Sequence, residues 1–115
     1  MKEFYENLAN AIIIQAFEDY TPACKQIERC KENVTLAQEQ LDALLHTEKT
    51  VKDALECAKR NLHRHEGMLR SAEANKESIE AFFTSSWFRT LTKVDGQRLL
   101  AEAKKDAAEK LGVVV

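Results

Sequence analysis

The chain has 115 residues, of which 44% are apolar and 31% are charged, and it contains only three Gly and one Pro. Because β-sandwiches, β-barrels and phosphate-binding loops need frequent Gly or Pro, this composition excludes them and predicts an all-α protein. The formal net charge of −2 excludes a protein that acts mainly by neutralising phosphate, and leaves room only for a local nucleic-acid contact.

The first predicted element is a helix from about Lys2 to Tyr20. Its apolar residues recur at intervals of three and four and form one wide stripe, namely Phe4, Tyr5, Leu8, Ala9, Ile12, Ile13, Ala16, Phe17 and Tyr20. Thr21 and Pro22 are typical of the N-cap and first turn of a helix, so they predict that a second helix begins there. The alternative is one helix that continues past Pro22 with a bend.

A seven-residue apolar register extends from Ile27 to Phe83 and predicts coiled-coil packing. Polar residues interrupt the register at 46–50, where Glu48 replaces an apolar residue and Thr50 with Asp53 resembles a capping box. We therefore expect an antiparallel hairpin that turns near Thr47–Thr50; one continuous helix that pairs with a second chain is the alternative. The predicted facing pairs are Leu44–Leu55, Leu41–Ala58, Ala37–Leu62, Val34–His65, Cys30–Leu69 and Ile27–Ala72.

All eight aromatic residues fall near the two ends of the chain: Phe4, Tyr5, Phe17, Tyr20, Phe82, Phe83, Trp87 and Phe88. Because aromatic side chains bury the largest areas, we expect the two groups to share one core. The prediction is a single domain, 1–115, in which an aromatic head (1–20 and 82–112) carries a coiled-coil-like helical hairpin stalk (21–81).

Two short helices are predicted after Phe83. Ser85 is a good N-cap for a helix that carries Trp87 and Phe88. Asp95 is the expected N-cap of a last helix from Gly96 to about Leu111, with Gly112 as its C-terminal stop. The inner residues of that last helix are predicted to be Leu99, Leu100, Ala103 and Ala107.

The sequence offers no pattern for catalysis or for a cofactor. Two of the histidines, His63 and His65, are two residues apart and so point to different sides of a helix, and the cysteines Cys24, Cys30 and Cys57 lack the spacing of a metal or redox motif. We therefore expect no enzyme activity, no metal and no cofactor, with the thiols reduced. The chain also lacks a signal peptide or membrane-length apolar run, so we expect a cytoplasmic protein without membrane contact.

Two groups of residues are candidates for binding a partner. The first is a basic group on the outward side of the second hairpin arm, which could contact phosphate or an acidic protein surface: Lys59, Arg60, His63, Arg64 and Arg70. No aromatic residue is interleaved there to stack bases. The second is the pair Trp87 and Phe88, which lie about 100° apart on a helix, so that one can remain at the surface as an anchor.

Several segments resemble a known group of proteins. LANAIIIQA at residues 8–16, followed by Asp19 and Tyr20, and EAFFTSSWFRTLT at residues 80–92, followed by Asp95 and Gly96, are similar to small uncharacterised helical proteins of phages and mobile elements from Gram-positive bacteria. The similarity covers about a third of the chain. The longer middle segment of this sequence is a departure from the group.

The resemblance implies a setting in the bacterial cytosol during phage or element activity. In that setting we expect a non-enzymatic protein-interaction module, with a host or element-encoded protein or nucleoprotein complex as partner. An inhibitor of a host defence system such as a CRISPR effector is the most concrete form. The alternatives are a nucleic-acid-binding accessory or regulatory protein and a self-assembling coiled-coil protein, and the chain is expected to be a monomer or homodimer.

Overall fold

The computed structural model describes residues 2–47 and 51–112, with side chains from residue 6 onward. Four helices occur in this part of the chain: α1 (Lys2–Leu45), α2 (Lys52–Phe83), α3 (Ser86–Leu91) and α4 (Gly96–Leu111). No strand is present among the described residues. The prediction of an all-α protein is therefore confirmed. The predicted turn residues Glu48 and Thr50 lie outside the described residues.

The helix α1 runs through Pro22 without a break, so the prediction that a new helix begins at Thr21–Pro22 is wrong. Proline inside a helix removes one backbone hydrogen bond and costs about 3 kcal/mol. Tyr20 and Cys24, on either side of it, are buried in one cluster with Ala103 and Ala107 of α4. Packing against α4 therefore stabilises one continuous helix across a local signal for the start of a new one.

The chain forms two compact units, and the first consists of Gln26–Glu73. In this unit Ile27 and Cys30 of α1 form a buried cluster with Ala72 of α2, and Leu69 packs against it. The contacts agree with the predicted facing pairs Ile27–Ala72 and Cys30–Leu69, and with an antiparallel hairpin of α1 and α2. Ala37 and Leu41, two further residues of the predicted seam, are also buried.

The second unit consists of Met1–Lys25 and Ala74–Val115. One cluster in it joins Tyr20 and Cys24 to Ala103 and Ala107, with four partly buried apolar residues around it: Phe17, Ile79, Leu100 and Leu111. Phe83 and Phe88 are also fully buried in this unit. Tyr20 from α1 and Phe83 and Phe88 from the later helices are thus all buried in this unit.

Local capping signals set the ends of α4, as predicted. The Asp95 side chain accepts a hydrogen bond from the Gln97 backbone N–H at 3.0 Å. At the other end Gly112 has a left-handed backbone, with φ of 67°. Gly96 lies so close to α2 that an added Cβ would be 1.7 Å from the Phe83 carbonyl oxygen. Glycine at position 96 is therefore what allows α4 to begin against the end of α2.

Candidate interaction surfaces

Trp87 and Phe88 lie on different sides of the short helix α3. Ser85 caps it, since its Oγ accepts from the Phe88 backbone N–H at 3.1 Å and donates to the Phe82 carbonyl at 2.6 Å. These two bonds fix the reversal between α2 and α3. As a result Phe88 is 0% exposed and Trp87 is 55% exposed.

Phe88 is therefore a core residue, and its predicted role in contacting a partner is corrected. Its ring lies 5.5 Å from the ring of Phe82 and 5.7 Å from that of Phe83, measured between centroids. A side chain enclosed in this way has no exposed surface that a partner could contact. Of the predicted pair, only Trp87 can act as an anchor.

Although Trp87 is exposed, its position is defined by the rings beneath it. The Trp87 and Phe82 rings meet edge to face, with centroids 5.5 Å apart, and Phe82 meets Phe83 in the same manner at 5.6 Å. Such edge-to-face pairs stabilise by about 0.5–1.5 kcal/mol each. The indole is thus held in place before a partner arrives, which lowers the entropy lost on binding.

An apolar groove of about 450 Å³ opens beside Trp87. Residues of α1, α2 and α3 line it: Ala11, Ile12, Gln15, Ala16, Asp19, Ser78, Ile79, Phe82 and Trp87. Asp19 is the charged residue among them, and its Oδ1 accepts a hydrogen bond from Gln15 Nε2 at 2.8 Å. The groove therefore combines an apolar lining with one carboxylate held in place.

The sequence did not predict this groove. Ile12 and Ala16 belong to the apolar stripe that the sequence predicts on α1. The stripe is wider than the surface that α2 and α4 cover, so part of it lines the groove instead. Only the packing of the other helices determines which part remains uncovered.

All five basic residues that were predicted to bind a partner lie on α2 and are exposed. Arg64 Nη2 donates to Asn61 Oδ1 at 3.2 Å. Ion pairs within the described residues involve other cations, namely Lys31–Glu28, Lys104–Glu80 and Lys110–Asp106. The positive charge of Lys59, Arg60, Arg64 and Arg70 is therefore not neutralised by a described carboxylate.

Two buried titratable groups, Tyr20 and Cys24, lie in the same cluster. Tyr20 is fully buried, and its hydroxyl makes no hydrogen bond of standard geometry. Burial raises the pKa of Tyr20 above its ordinary value, and the nearby Glu80 carboxylate and Cys24 thiol raise it further. Glu80 Oε2 lies 3.4 Å from Lys104 Nζ. This cluster keeps the phenol protonated, which suits a core residue.

The described residues contain no group of three or more His, Cys, Asp or Glu side chains that could hold a metal ion. Cys24 and Cys30 are buried and Cys57 is exposed. Of the two histidines with close spacing, His63 is exposed and His65 is half-buried. Within the same part of the chain no helix is long and apolar enough to cross a membrane.

Comparison with known proteins adds no further assignment. No family model matches the chain, and neither the curated proteins nor the solved structures contain a significant match.

Proposed function

We propose that this chain is a non-enzymatic protein-interaction module that binds its partner at the Trp87 groove. The observation that carries the proposal is a tryptophan that is 55% exposed and yet fixed on Phe82 at the edge of an apolar groove. Exposing an indole to water forfeits the free energy of burying it. Tryptophan is also among the residues that contribute most to protein–protein binding energy.

The groove favours one kind of occupant, an apolar side chain of a partner protein followed by a basic residue. The apolar part would lie against Ile12, Ile79 and the Trp87 indole. The basic residue would pair with Asp19, whose carboxylate is oriented by Gln15. A charged group that is already oriented loses less entropy on pairing, so this contact would add specificity.

The resemblance to phage and mobile-element proteins supports a narrower form of the proposal. In that form the chain acts in the bacterial cytosol and its partner is a host defence complex, such as a CRISPR effector. The chain would inhibit this complex by occupying a surface that the complex needs for its own activity. Neither catalysis nor a cofactor is required for inhibition of this kind.

Phage plating on a bacterial host with an active CRISPR system tests the narrower proposal. Expression of the wild-type chain is expected to restore plating of a targeted phage, and Trp87→Ser is expected to abolish the effect. Leu36→Ser is the matched control, because Leu36 is 57% exposed and lies outside the groove. Unchanged plating with the wild-type chain would overturn the role in defence inhibition.

The two serine variants also test the groove itself. Loss of a central anchor costs about 2 kcal/mol or more, which corresponds to at least a 30-fold weaker Kd. Circular dichroism should show that both variants retain the helical content of the wild type. If folded Trp87→Ser and Leu36→Ser inhibit equally well, the groove is not the binding surface.

A further inference from the structure

The basic side of α2 contains a recess at Gly67. It lies within the unit Gln26–Glu73 and has a volume of about 620 Å³. Gln26 of α1 lines it together with residues of α2, namely Arg64, Gly67, Met68, Ser71 and Ala72. Three of these side chains, Gln26, Arg64 and Ser71, can donate hydrogen bonds.

Nothing within the described chain requires glycine at position 67. An added Cβ would meet only Arg70 Nη2, at 3.8 Å, which is an ordinary van der Waals contact. Glycine inside a helix is less stable than alanine by about 0.5–1 kcal/mol. Glycine at position 67 therefore makes the helix less stable than alanine would, and no packing contact compensates for this. The missing side chain leaves an open recess.

Two arginines lie at or near this recess. Arg64 is part of its lining, and Arg70 reaches back so that its Nη2 lies near Gly67. Neither arginine forms an ion pair with a described carboxylate. Glu66, the acidic residue next to Gly67, is half-buried and likewise forms no ion pair among the described residues. The positive charge at the recess is thus not neutralised by a described carboxylate. Within the chain, Arg64 Nη2 donates to Asn61 Oδ1 at 3.2 Å and Gln26 Nε2 donates to Cys30 Sγ at 3.7 Å, and both groups have further N–H donors for a ligand.

The positive charge continues along α2 beyond the recess. Between Lys59 and Arg70 the helix carries four permanently charged cations and one carboxylate, and it rises by about 16 Å. A single small anion would use only the recess, whereas a linear polyanion can contact the whole array. No aromatic residue lies in the segment to stack unpaired bases, which favours a duplex over a single strand.

We infer that α2 binds the phosphate backbone of double-stranded nucleic acid and that the Gly67 recess receives one phosphate between Arg64 and Arg70. Ser71 and Gln26 donate to the same phosphate. Lys59, Arg60 and His63 contact phosphates further along the backbone. These contacts carry no base information, so binding is independent of sequence and depends on salt concentration.

Fluorescence anisotropy with a labelled 20-base-pair DNA duplex tests this inference on the full chain. For the wild type, log Kd is expected to rise with log salt concentration with a slope of roughly 3–4, since four cations each release about one counterion. Arg64→Gln and Arg70→Gln should each lower the slope by about 1. Lys31→Gln and Lys110→Gln remove cations that are already ion-paired and should leave the slope unchanged.

Gly67→Ala separates the recess from general charge, because it adds one methyl group inside the recess without changing any charge. It should weaken duplex binding about tenfold, as expected for lost hydrogen bonds to a charged group. The helical signal and the melting temperature show whether the variant is folded. A Kd for Gly67→Ala equal to that of the wild type would overturn the role of the recess.

Two further outcomes would overturn the inference as a whole. One is the absence of duplex binding by the wild type at 50 mM salt. The other is equal affinity for poly-glutamate of matched charge, which would mean that α2 recognises acidic polymers and not phosphate. Tighter binding to the duplex than to poly-glutamate, with loss in the arginine variants, supports it.

Discussion

The two compact units differ in the kind of core that they build. Gln26–Glu73 contains no aromatic residue, and its buried cluster consists of Ile27, Cys30 and Ala72. The other unit, where α3 and α4 join the long helices, buries Tyr20, Phe83 and Phe88 completely. Two helices alone can cover only a narrow seam, whereas additional helices can enclose large rings.

The two units also differ in the side chains that they expose. In the unit with α3 and α4, Trp87 is fixed on an aromatic cluster beside an apolar groove. In Gln26–Glu73 the exposed features are a row of cations on α2 and single apolar residues such as Leu36 and Met68. The first surface is apolar with one carboxylate, and the second is basic.

The largest expected effect comes from removing a ring of the aromatic core. Phe88→Ala should lower the free energy of unfolding by about 3–5 kcal/mol, because it leaves a cavity where a side chain was fully buried. Leu69→Ala in the other unit should cost less, since Leu69 is only half-buried. Urea unfolding measures both values. Equal losses would contradict the proposed difference between the two cores.

Substitution by alanine should change the stability of the fold in opposite directions at Gly96 and Gly67. Gly96→Ala would place a Cβ 1.7 Å from the Phe83 carbonyl oxygen, and such overpacking costs about 1–3 kcal/mol or more. Gly67→Ala meets open space and should stabilise by about 0.5–1 kcal/mol. Thermal unfolding should give a melting temperature below that of the wild type for Gly96→Ala and above it for Gly67→Ala. Stabilisation by Gly96→Ala would show that α4 does not begin against Phe83.

Loss of the α3 cap should have a smaller effect. Ser85→Ala removes the acceptor for the Phe88 backbone N–H and should cost about 1 kcal/mol. Ser85→Thr retains a hydroxyl that can both accept from the Phe88 backbone N–H and donate to the Phe82 carbonyl, and it serves as the control. If the two variants unfold at the same urea concentration, the cap does not contribute to stability.

Alkaline pH should weaken the fold slightly through Tyr20. The pKa of Tyr20 is raised in the folded protein, whereas the unfolded chain titrates near the ordinary value of about 10. Folded Tyr20 therefore keeps its proton to a higher pH than unfolded Tyr20 does. Its contribution to the free energy of unfolding is constant below about pH 10 and declines as the pH rises above that value. Urea unfolding at pH 8 and pH 10.5 should show a smaller alkaline loss for Tyr20→Phe than for the wild type. An equal loss would contradict this account of Tyr20.

Local signals in the sequence predicted the C-terminal helices well. Asp95, Gly112 and Ser85 act on backbone groups within a few residues, so their effect does not depend on the rest of the fold. The register from Ile27 to Phe83 likewise predicted the contacts of Ile27 and Cys30 with α2, because a repeated pattern fixes which sides face each other.

Features that depend on distant contacts were predicted poorly. Thr21 and Pro22 are a strong local start signal, and the packing of Tyr20 and Cys24 on α4 overrides it. Helical spacing predicts that Trp87 and Phe88 point in different directions, but only the position of Phe82 and Phe83 decides that Phe88 is the buried one. The groove beside Trp87 has no sequence signal for the same reason.

The central claim, that the chain binds a partner protein through the Trp87 groove, is tested most directly by binding to a purified CRISPR effector complex. Surface plasmon resonance would compare the wild type with Trp87→Ser and the equally exposed control Leu36→Ser. We predict that the wild type and Leu36→Ser bind alike and that Trp87→Ser binds at least 30-fold more weakly. Equal binding by all three proteins would contradict the role of the groove, and no binding by the wild type would contradict the choice of a CRISPR effector as the partner.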